Sequence, residues 1–136
     1  MASDLDAARE TIESRIKTQW EAGLNTTIVW PDVATPPPES GAYIEPDIIW
    51  GDGFISTKNG RNEIVGLIAV NVYAPTGSGA GTAYATADAV RDMLNRVEVA
   101  GVRFQAPSGP RPIPSAGSRW TQYQISVGFT VEEVVT

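Results

Sequence analysis

The chain has 136 residues, of which 42% are hydrophobic and 19% are charged, ordinary values for one globular domain with a core of its own. It contains no cysteine and no histidine, which excludes disulfides, thiol nucleophiles and thiolate metal sites and removes the commonest proton shuttle. Its net charge of −6 has the wrong sign for wrapping nucleic acid or coating an anionic membrane, and no apolar run is long enough to span a bilayer.

These properties predict a single domain over residues 1–136 that is not an enzyme, binds no cofactor and holds no metal. The start of the chain is acidic and lacks the basic-then-apolar pattern of a secretion signal. We therefore expect a protein that is made and used without export.

The first predicted element is an amphipathic helix over residues 4–22. Ser3 is a favourable N-cap, and Gly23 is expected to end the helix. The apolar residues recur every three or four positions, which places them on one stripe: Leu5, Ala8, Ile12, Ile16 and Trp20. This stripe predicts that the helix lies on an apolar surface.

A short strand over residues 27–30 and a proline-rich connector over 34–41 precede a second strand over 43–50. The alternation in that strand places Glu45 and Asp47 on one side. Pro46 cannot donate a hydrogen bond to a neighbouring strand, so we expect the strand to lie at an edge or to be irregular at this point.

The dipeptide Asn59-Gly60 predicts a hairpin turn between an arm over residues 54–58 and an arm over residues 61–74. The second arm is the most apolar part of the chain on both of its faces. One face carries Ile64, Gly66, Ile68, Val70 and Val72, and the other carries Val65, Leu67, Ala69 and Tyr73. Such a strand is either central in a layered sheet or covered by another subunit, and the sequence leaves both open.

A glycine-rich loop follows Pro75 and leads into a second predicted helix over residues 82–96. The remaining elements are a strand over 99–106, a proline-rich loop over 107–117 and a cleanly alternating strand over 119–131. The whole pattern predicts an α+β fold, a two-layer sandwich in which two helices pack on one face of a mostly antiparallel sheet of about five strands.

Two segments contain residue types found in binding or catalytic sites, but each lacks residues that such a site requires. The loop from Gly77 to Thr82 opens a helix, but it lacks the lysine of a phosphate-binding loop and the third glycine of a dinucleotide site. Glu45, Asp47 and Asp52 supply carboxylates without a histidine or a nucleophile motif beside them. The sequence favours a mobile or interface loop and a solvated edge strand.

Charge is distributed unevenly along the chain. Residues 1–60 hold ten acids and four bases, whereas the only charges from Val99 to Val131 are basic. This asymmetry fits either a solvated surface or complementary faces that meet head-to-tail in an assembly. The candidate interface residues are Arg103, Arg111, Arg119, Tyr73 and Trp50.

The order of these segments resembles the tail terminator-like proteins, a tail-completion family of long-tailed bacteriophages. The segments that carry the resemblance are Trp30–Val33, Thr35–Pro38, Gly41–Pro46, Gly66–Pro75, the glycine loop, Ala87–Val90, Val102–Pro107 and Trp120–Val131. Residues 51–63 match nothing in the family's pattern. The resemblance covers nearly the whole chain and rests on packing and turn signatures.

The resemblance implies a ring, usually of six subunits, at the head-proximal end of a phage tail. Such a ring caps the tail tube, stops its polymerisation and joins it to the neck or head. The implied partners are further copies of the chain, the tail tube protein and a neck or head-completion protein, with DNA only passing through the lumen and no membrane involved. The implied location is the virion, after assembly in the host cytoplasm.

A basic lumen would hold DNA by its phosphates, so acids suit the wall of such a conduit. The candidate lumen acids are Glu45, Asp47, Glu132 and Glu133. Two alternatives stay open: another neck or minor tail component, such as a head-closure or connector protein, and a small carboxylate- or phosphate-site enzyme.

Overall fold

The computed structural model describes residues 5–23, 27–30, 42–56, 61–77, 80–99, 101–114 and 120–134. The helices are α1 (Leu5–Gly23) and α2 (Ala80–Leu94), and the strands are β1 (Thr27–Ile28), β2 (Tyr43–Ser56), β3 (Arg61–Pro75), β4 (Glu98–Val99), β5 (Val102–Phe104), β6 (Ser108–Ile113) and β7 (Trp120–Val134). The fold class is α+β, as predicted. Ser3, Asn59, Gly60 and the connector over 34–41 lie outside the described residues.

The strands form one mixed sheet in the order β1-β2-β3-β7-β5-β4, with β6 also paired to β7. Three long antiparallel strands, β2, β3 and β7, make up its centre, and among the described strands only β1 pairs in parallel with its neighbour. The prediction of a mostly antiparallel sheet is confirmed. The expected number of about five strands is only approximate, because the described residues form seven.

The core lies between both helices and one face of the three long strands. The predicted stripe of α1 is buried as Ala8, Ile12, Ile16 and Trp20. The sheet contributes Ile44, Ile68, Val70, Val72, Ile125, Val127 and Phe129, and α2 contributes Ala87, Val90, Met93 and Leu94. Period-2 alternation in the strands and the stripes of the helices therefore select the same set of side chains.

Gly66 in β3 provides the space for a buried phenylalanine ring on this face of the sheet. It pairs with Phe129 in β7, and a Cβ atom at residue 66 would lie 2.4 Å from the Cζ of Phe129. Trp50 packs edge-on against the same phenylalanine, with ring centroids 5.4 Å apart. A side chain at residue 66 would force this aromatic pair to move.

Two arginines fix the second helix to its surroundings through backbone carbonyls. Arg15 in α1 donates from Nε and Nη2 to the carbonyl of Met93, at 3.2 and 3.1 Å, near the end of α2. Arg91 in α2 donates from Nη1 to the carbonyls of Pro107 and Gly109, at 3.0 and 2.8 Å. These contacts satisfy carbonyls at the C-terminal end of α2 and in the segment that leads into β6.

Several predicted boundaries are wrong for tertiary reasons. Residues 43–50 and residues 54–56 of the predicted arm over 54–58 belong to the single strand β2, which is irregular between Trp50 and Gly53, and residues 57 and 58 lie outside the described residues. The strand over 99–106 is instead the short pair β4 and β5, with Gly101 at a φ of +85° between them. The first helix begins within a residue of its prediction, whereas the second begins two residues earlier.

The proline-rich stretch over 107–117, predicted as a loop, contains β6. Arg111, Pro112 and Ile113 pair with Gln124, Tyr123 and Gln122 of β7. Prolines are tolerated because among the described strands β6 pairs only with β7, so its other side needs no donors. The prediction for Pro46 is confirmed, since β1 pairs with β2 only at Tyr43 and Ile44 and no other described strand continues along that edge.

Candidate interaction surfaces

The sheet has a second face, turned away from the helices, which we call the outer face. Its described side chains include Tyr43, Glu45, Asp47 and Ile49 from β2, Val65, Leu67, Ala69, Asn71 and Tyr73 from β3, and Gln122, Gln124, Ser126 and Thr130 from β7. These are the residues that the alternation assigned to this side, with Asn71 added. β3 is thus central in the sheet and also presents this second face, which no described helix covers.

One end of the outer face is aromatic. The rings of Tyr43 and Tyr73 stack with centroids 4.6 Å apart, and Trp120 meets Tyr43 edge-on at 5.0 Å. The Tyr73 hydroxyl lies 3.5 Å from Oε1 of Glu45, at the long limit for a hydrogen bond. Burial, reinforced by the negative charge of Glu45, raises the pKa of Tyr73 to about 12.

This raised pKa predicts a loss of stability in alkali. Tyrosines in the unfolded chain ionise near pH 10, whereas Tyr73 in the folded chain keeps its proton until about pH 12. Its contribution is therefore fully present below pH 10 and is lost as the pH rises through 12. Denaturation midpoints between pH 9 and 12 should fall less steeply for Tyr73→Phe than for the wild type. Tyr84→Phe removes an exposed hydroxyl and should keep the wild-type slope, whereas equal slopes in all three proteins would contradict the assignment.

A polar row crosses the middle of the outer face over four strands. Glu45 in β2 pairs with Asn71 in β3, Asn71 with Gln124 in β7, and Gln124 with Arg111 in β6. The amides of Gln122 and Gln124 donate to Oδ1 of Asn71 at 3.1 and 3.2 Å, and Nη2 of Arg111 donates to Oε1 of Gln124 at 2.8 Å. The row is therefore held rigid, with an acid at one end and a base at the other.

The other end of the outer face is apolar and exposed. Ile49 and Leu67 pair directly across β2 and β3, and their side chains are 49% and 37% exposed. Val65 lies next to them and is half-buried. Adjacent exposed aliphatic side chains on one sheet face are typical of a surface that another protein covers.

A shallow pocket of about 210 Å³ lies between α1 and the edge of β2. It is lined by Arg9, Glu13, Ile16, Trp30, Pro46, Asp47, Ile48 and Trp50. Arg9 is already paired inside it, with Nη1 2.8 Å from Oε1 of Glu13. Two half-buried tryptophans, Trp30 and Trp50, therefore lie close to the edge of the sheet that carries Glu45 and Asp47.

The structure separates the predicted interface residues. Arg111 and Tyr73 lie on the outer face, whereas Trp50 lies on the side of the helices against Phe129. Arg103 on β5 pairs with Thr130 and therefore also lies on the outer face, where it is exposed and its Nη2 is 3.9 Å from Oε2 of Glu98 in the same chain. Arg119 lies outside the described residues.

The predicted lumen acids fall into two groups. Glu45 and Asp47 lie two residues apart on the outer face, with Asp47 exposed. The backbones of Glu132 and Glu133 belong to β7 and pair with Glu63 and Asn62 of β3, and their side chains are not described.

The described residues offer little to a catalytic or metal site. They contain no group of three acidic side chains that could hold a metal ion. Gly77 lies in a turn with a φ of +93°, and α2 begins at Ala80, with Ser78 and Gly79 outside the described residues. Within the described part of the chain, neither helix is long and apolar enough to cross a membrane.

The sequence reasoning missed two parts of this surface. Asn71 interrupts the apolar outward positions of β3, and that single polar residue was an available signal for the network around it. For β6 no such signal exists, because a run with three prolines between residues 110 and 114 predicts a loop by any local rule.

Comparison with known proteins gives one family and one shared fold. The family model described as "Phage tail terminator protein" matches residues 7–128. One solved structure, 19% identical, covers 99% of this chain and 100% of its own with a TM-score of 0.74. A second, entitled "Virion of native gene transfer agent (GTA) particle", is 19% identical and covers 91% of this chain and 96% of its own with a TM-score of 0.59. No curated protein matches the chain.

Proposed function

The chain belongs to the phage tail terminator protein family, and from this membership we propose that it caps the head-proximal end of a tail tube as a ring of copies, usually six. The ring stops the polymerisation of the tube and joins the tail to the neck or head. The chain is a structural protein of the phage tail, and its role in this proposal requires no catalytic residue. The observation that carries the proposal is the family match, which extends over residues 7–128.

The outer face supports assembly into a ring. A ring needs two different surfaces on each copy, because every subunit contacts one neighbour with one surface and the next neighbour with the other. The sheet offers such a pair, since its β2 edge carries Glu45 and Asp47 and its β6 edge carries Arg111. The exposed Ile49 and Leu67 add apolar area that an isolated copy leaves in water.

The partners in this proposal are further copies, the tail tube protein and a neck or head-completion protein, with DNA only passing through the lumen. Of the four candidate lumen acids, we propose Glu132 and Glu133 for the lumen, since carboxylates repel the phosphates of passing DNA, and we assign Glu45 and Asp47 to the contacts between copies. Arg103, Arg111, Arg119, Tyr73 and Trp50 remain the proposed interface residues.

Growth of tail tubes in the presence of the chain tests the capping role. Purified tube subunits are polymerised with and without the chain, and tube lengths are measured by negative-stain electron microscopy. We expect growth to stop, with a ring at one end of each tube. The double variant Ile49→Asp/Leu67→Asp should lose capping, because it places charge on the apolar end of the outer face. Tyr84→Asp, at an equally exposed aromatic on α2, should keep it.

Unchanged tube growth with no ring at any concentration would refute the proposal. Rings that form but leave tube growth unchanged would favour a head-closure or connector component instead.

A further inference from the structure

The two edges of the sheet carry opposite charges on the same face and in the same row. Glu45 and Asp47 lie on β2, beyond the residues that β1 pairs with; we call this the acidic edge. Arg111 lies on β6, which among the described strands pairs only with β7; we call this the basic edge. Asp47 and Arg111 are both exposed.

These charges are too far apart to meet within one chain. The row from Glu45 to Arg111 crosses three strand spacings of about 4.8 Å, or about 14 Å in all. Asn71 and Gln124 fill the interval and hold the arginine in place. Among the described residues, no carboxylate forms an ion pair with Arg111, and its exposed guanidinium is accessible to a carboxylate of another molecule.

Both edges are built against extension of the sheet. Pro46 lies between the two acids, and Pro110 and Pro112 flank Arg111. A proline has no N–H to donate, so neither edge can offer a full ladder of backbone hydrogen bonds to a neighbour. Side chains must therefore determine what binds at these edges.

The basic edge is also firmly positioned. Arg91 donates to the carbonyls of Pro107 and Gly109, which lie four and two residues before Arg111. Gly109 has a φ of +103°, and a Cβ atom there would lie 2.6 Å from the carbonyl oxygen of Gln124. Glycine is thus required for β6 to approach β7 this closely. A rigid guanidinium loses little conformational freedom when it binds a carboxylate.

We propose that the acidic edge of one copy binds the basic edge of the next, with the guanidinium of Arg111 placed between the carboxylates of Glu45 and Asp47 of its neighbour. The proposal rests on the ring proposed above and specifies the seam between its subunits. It gives Glu45 and Asp47 to this seam and leaves Glu132 and Glu133 as the acids of the lumen. The contact is head-to-tail, so it repeats around an axis.

Charge reversal at each edge tests this seam. The variants are Arg111→Glu, Glu45→Lys/Asp47→Lys, and the triple variant that combines them. Oligomeric mass is measured by native mass spectrometry and rings are counted by electron microscopy, with and without tail tube. Each single-edge variant should lose the ring, because two like-charged edges then face each other. The triple variant should assemble alone, and a 1:1 mixture of the single-edge variants should form alternating rings.

Lys17→Glu is the matched control, because it makes the same change of charge at an exposed base on α1, on the opposite side of the sheet from the outer face. This variant should keep the wild-type ring. Rings in both single-edge variants, or no ring in either the mixture or the triple variant while circular dichroism shows folded protein, would overturn the seam. If both single-edge variants form rings, a wild-type ring that still stops tube growth leaves the capping role intact. A wild type that forms no ring even on a tube would instead refute the capping role itself.

Discussion

Replacing Phe129 with alanine is expected to lower the free energy of unfolding by about 3–5 kcal/mol. The side chain is 1% exposed and lies in a row with Trp50, Gly66 and Phe104 on the side of the sheet that faces the helices. Gly66 has no side chain that could fill the space, so the cavity left by the ring should persist. Urea denaturation followed by tryptophan fluorescence and by circular dichroism measures the loss.

The same contact provides an internal check by a double-mutant cycle. Gly66→Ala alone should be destabilising, because its Cβ would meet the ring of Phe129. In the Phe129→Ala background that ring is absent. The double variant should therefore lose less stability than the sum of the losses in the two single variants. Thr121→Ala, at an exposed position of the same strand, should change the free energy by no more than about 0.5 kcal/mol. A Phe129→Ala protein with an unchanged midpoint would contradict the packing described here.

Trp20→Ala is expected to cost a similar amount, about 3–5 kcal/mol, for a different reason. Trp20 is the largest side chain on the buried stripe of α1 and is 2% exposed. It joins the C-terminal end of the helix to the core that both helices and the sheet share. Its loss should weaken the attachment of α1 as a whole, in addition to leaving a cavity.

Native-state hydrogen exchange can separate these two effects. In Trp20→Ala the amides of α1 should exchange faster than those of β3 and β7, whereas Phe129→Ala should accelerate exchange in the strands. Gln19→Ala, the exposed neighbour of Trp20 on the same helix, is the matched control and should leave exchange and midpoint unchanged. If Trp20→Ala behaves like this control, the helix is held by its other contacts.

The two faces of the sheet have different functions in this interpretation. The helix-facing side stabilises one copy through apolar burial, and the outer face is the side to which the proposed ring assigns the contacts between copies. Leu67 and Ile49 remain exposed on the outer face even though the same strands bury Ile68, Val70 and Ile44 on the other. The exposed part of such a side chain adds nothing to the stability of the single copy, so its apolar character fits a role in assembly.

The local sequence pattern was sufficient to predict burial wherever the environment of a residue follows from its neighbours in sequence. The stripe of α1 and the alternation of Ile125, Val127 and Phe129 identified buried side chains correctly, because helix and strand periods fix which residues share a face. The edge position of Pro46 also followed from its own chemistry, since it lacks a donor. The order of the packing and turn signatures along the chain was enough to indicate the family.

Only the tertiary structure decided which segments lie side by side. β6 is a strand because β7 offers it a partner, and no local property of its prolines encodes that pairing. The distance between Glu45 and Arg111, and their place in one row with Asn71 and Gln124, likewise depend on the register of four strands that are far apart in sequence. The period at which side chains share a face is a local property of the backbone, whereas strand register and the identity of the edge strands depend on the contacts of the whole sheet. The amino-acid pattern therefore predicted the core, and only the fold revealed the two charged edges.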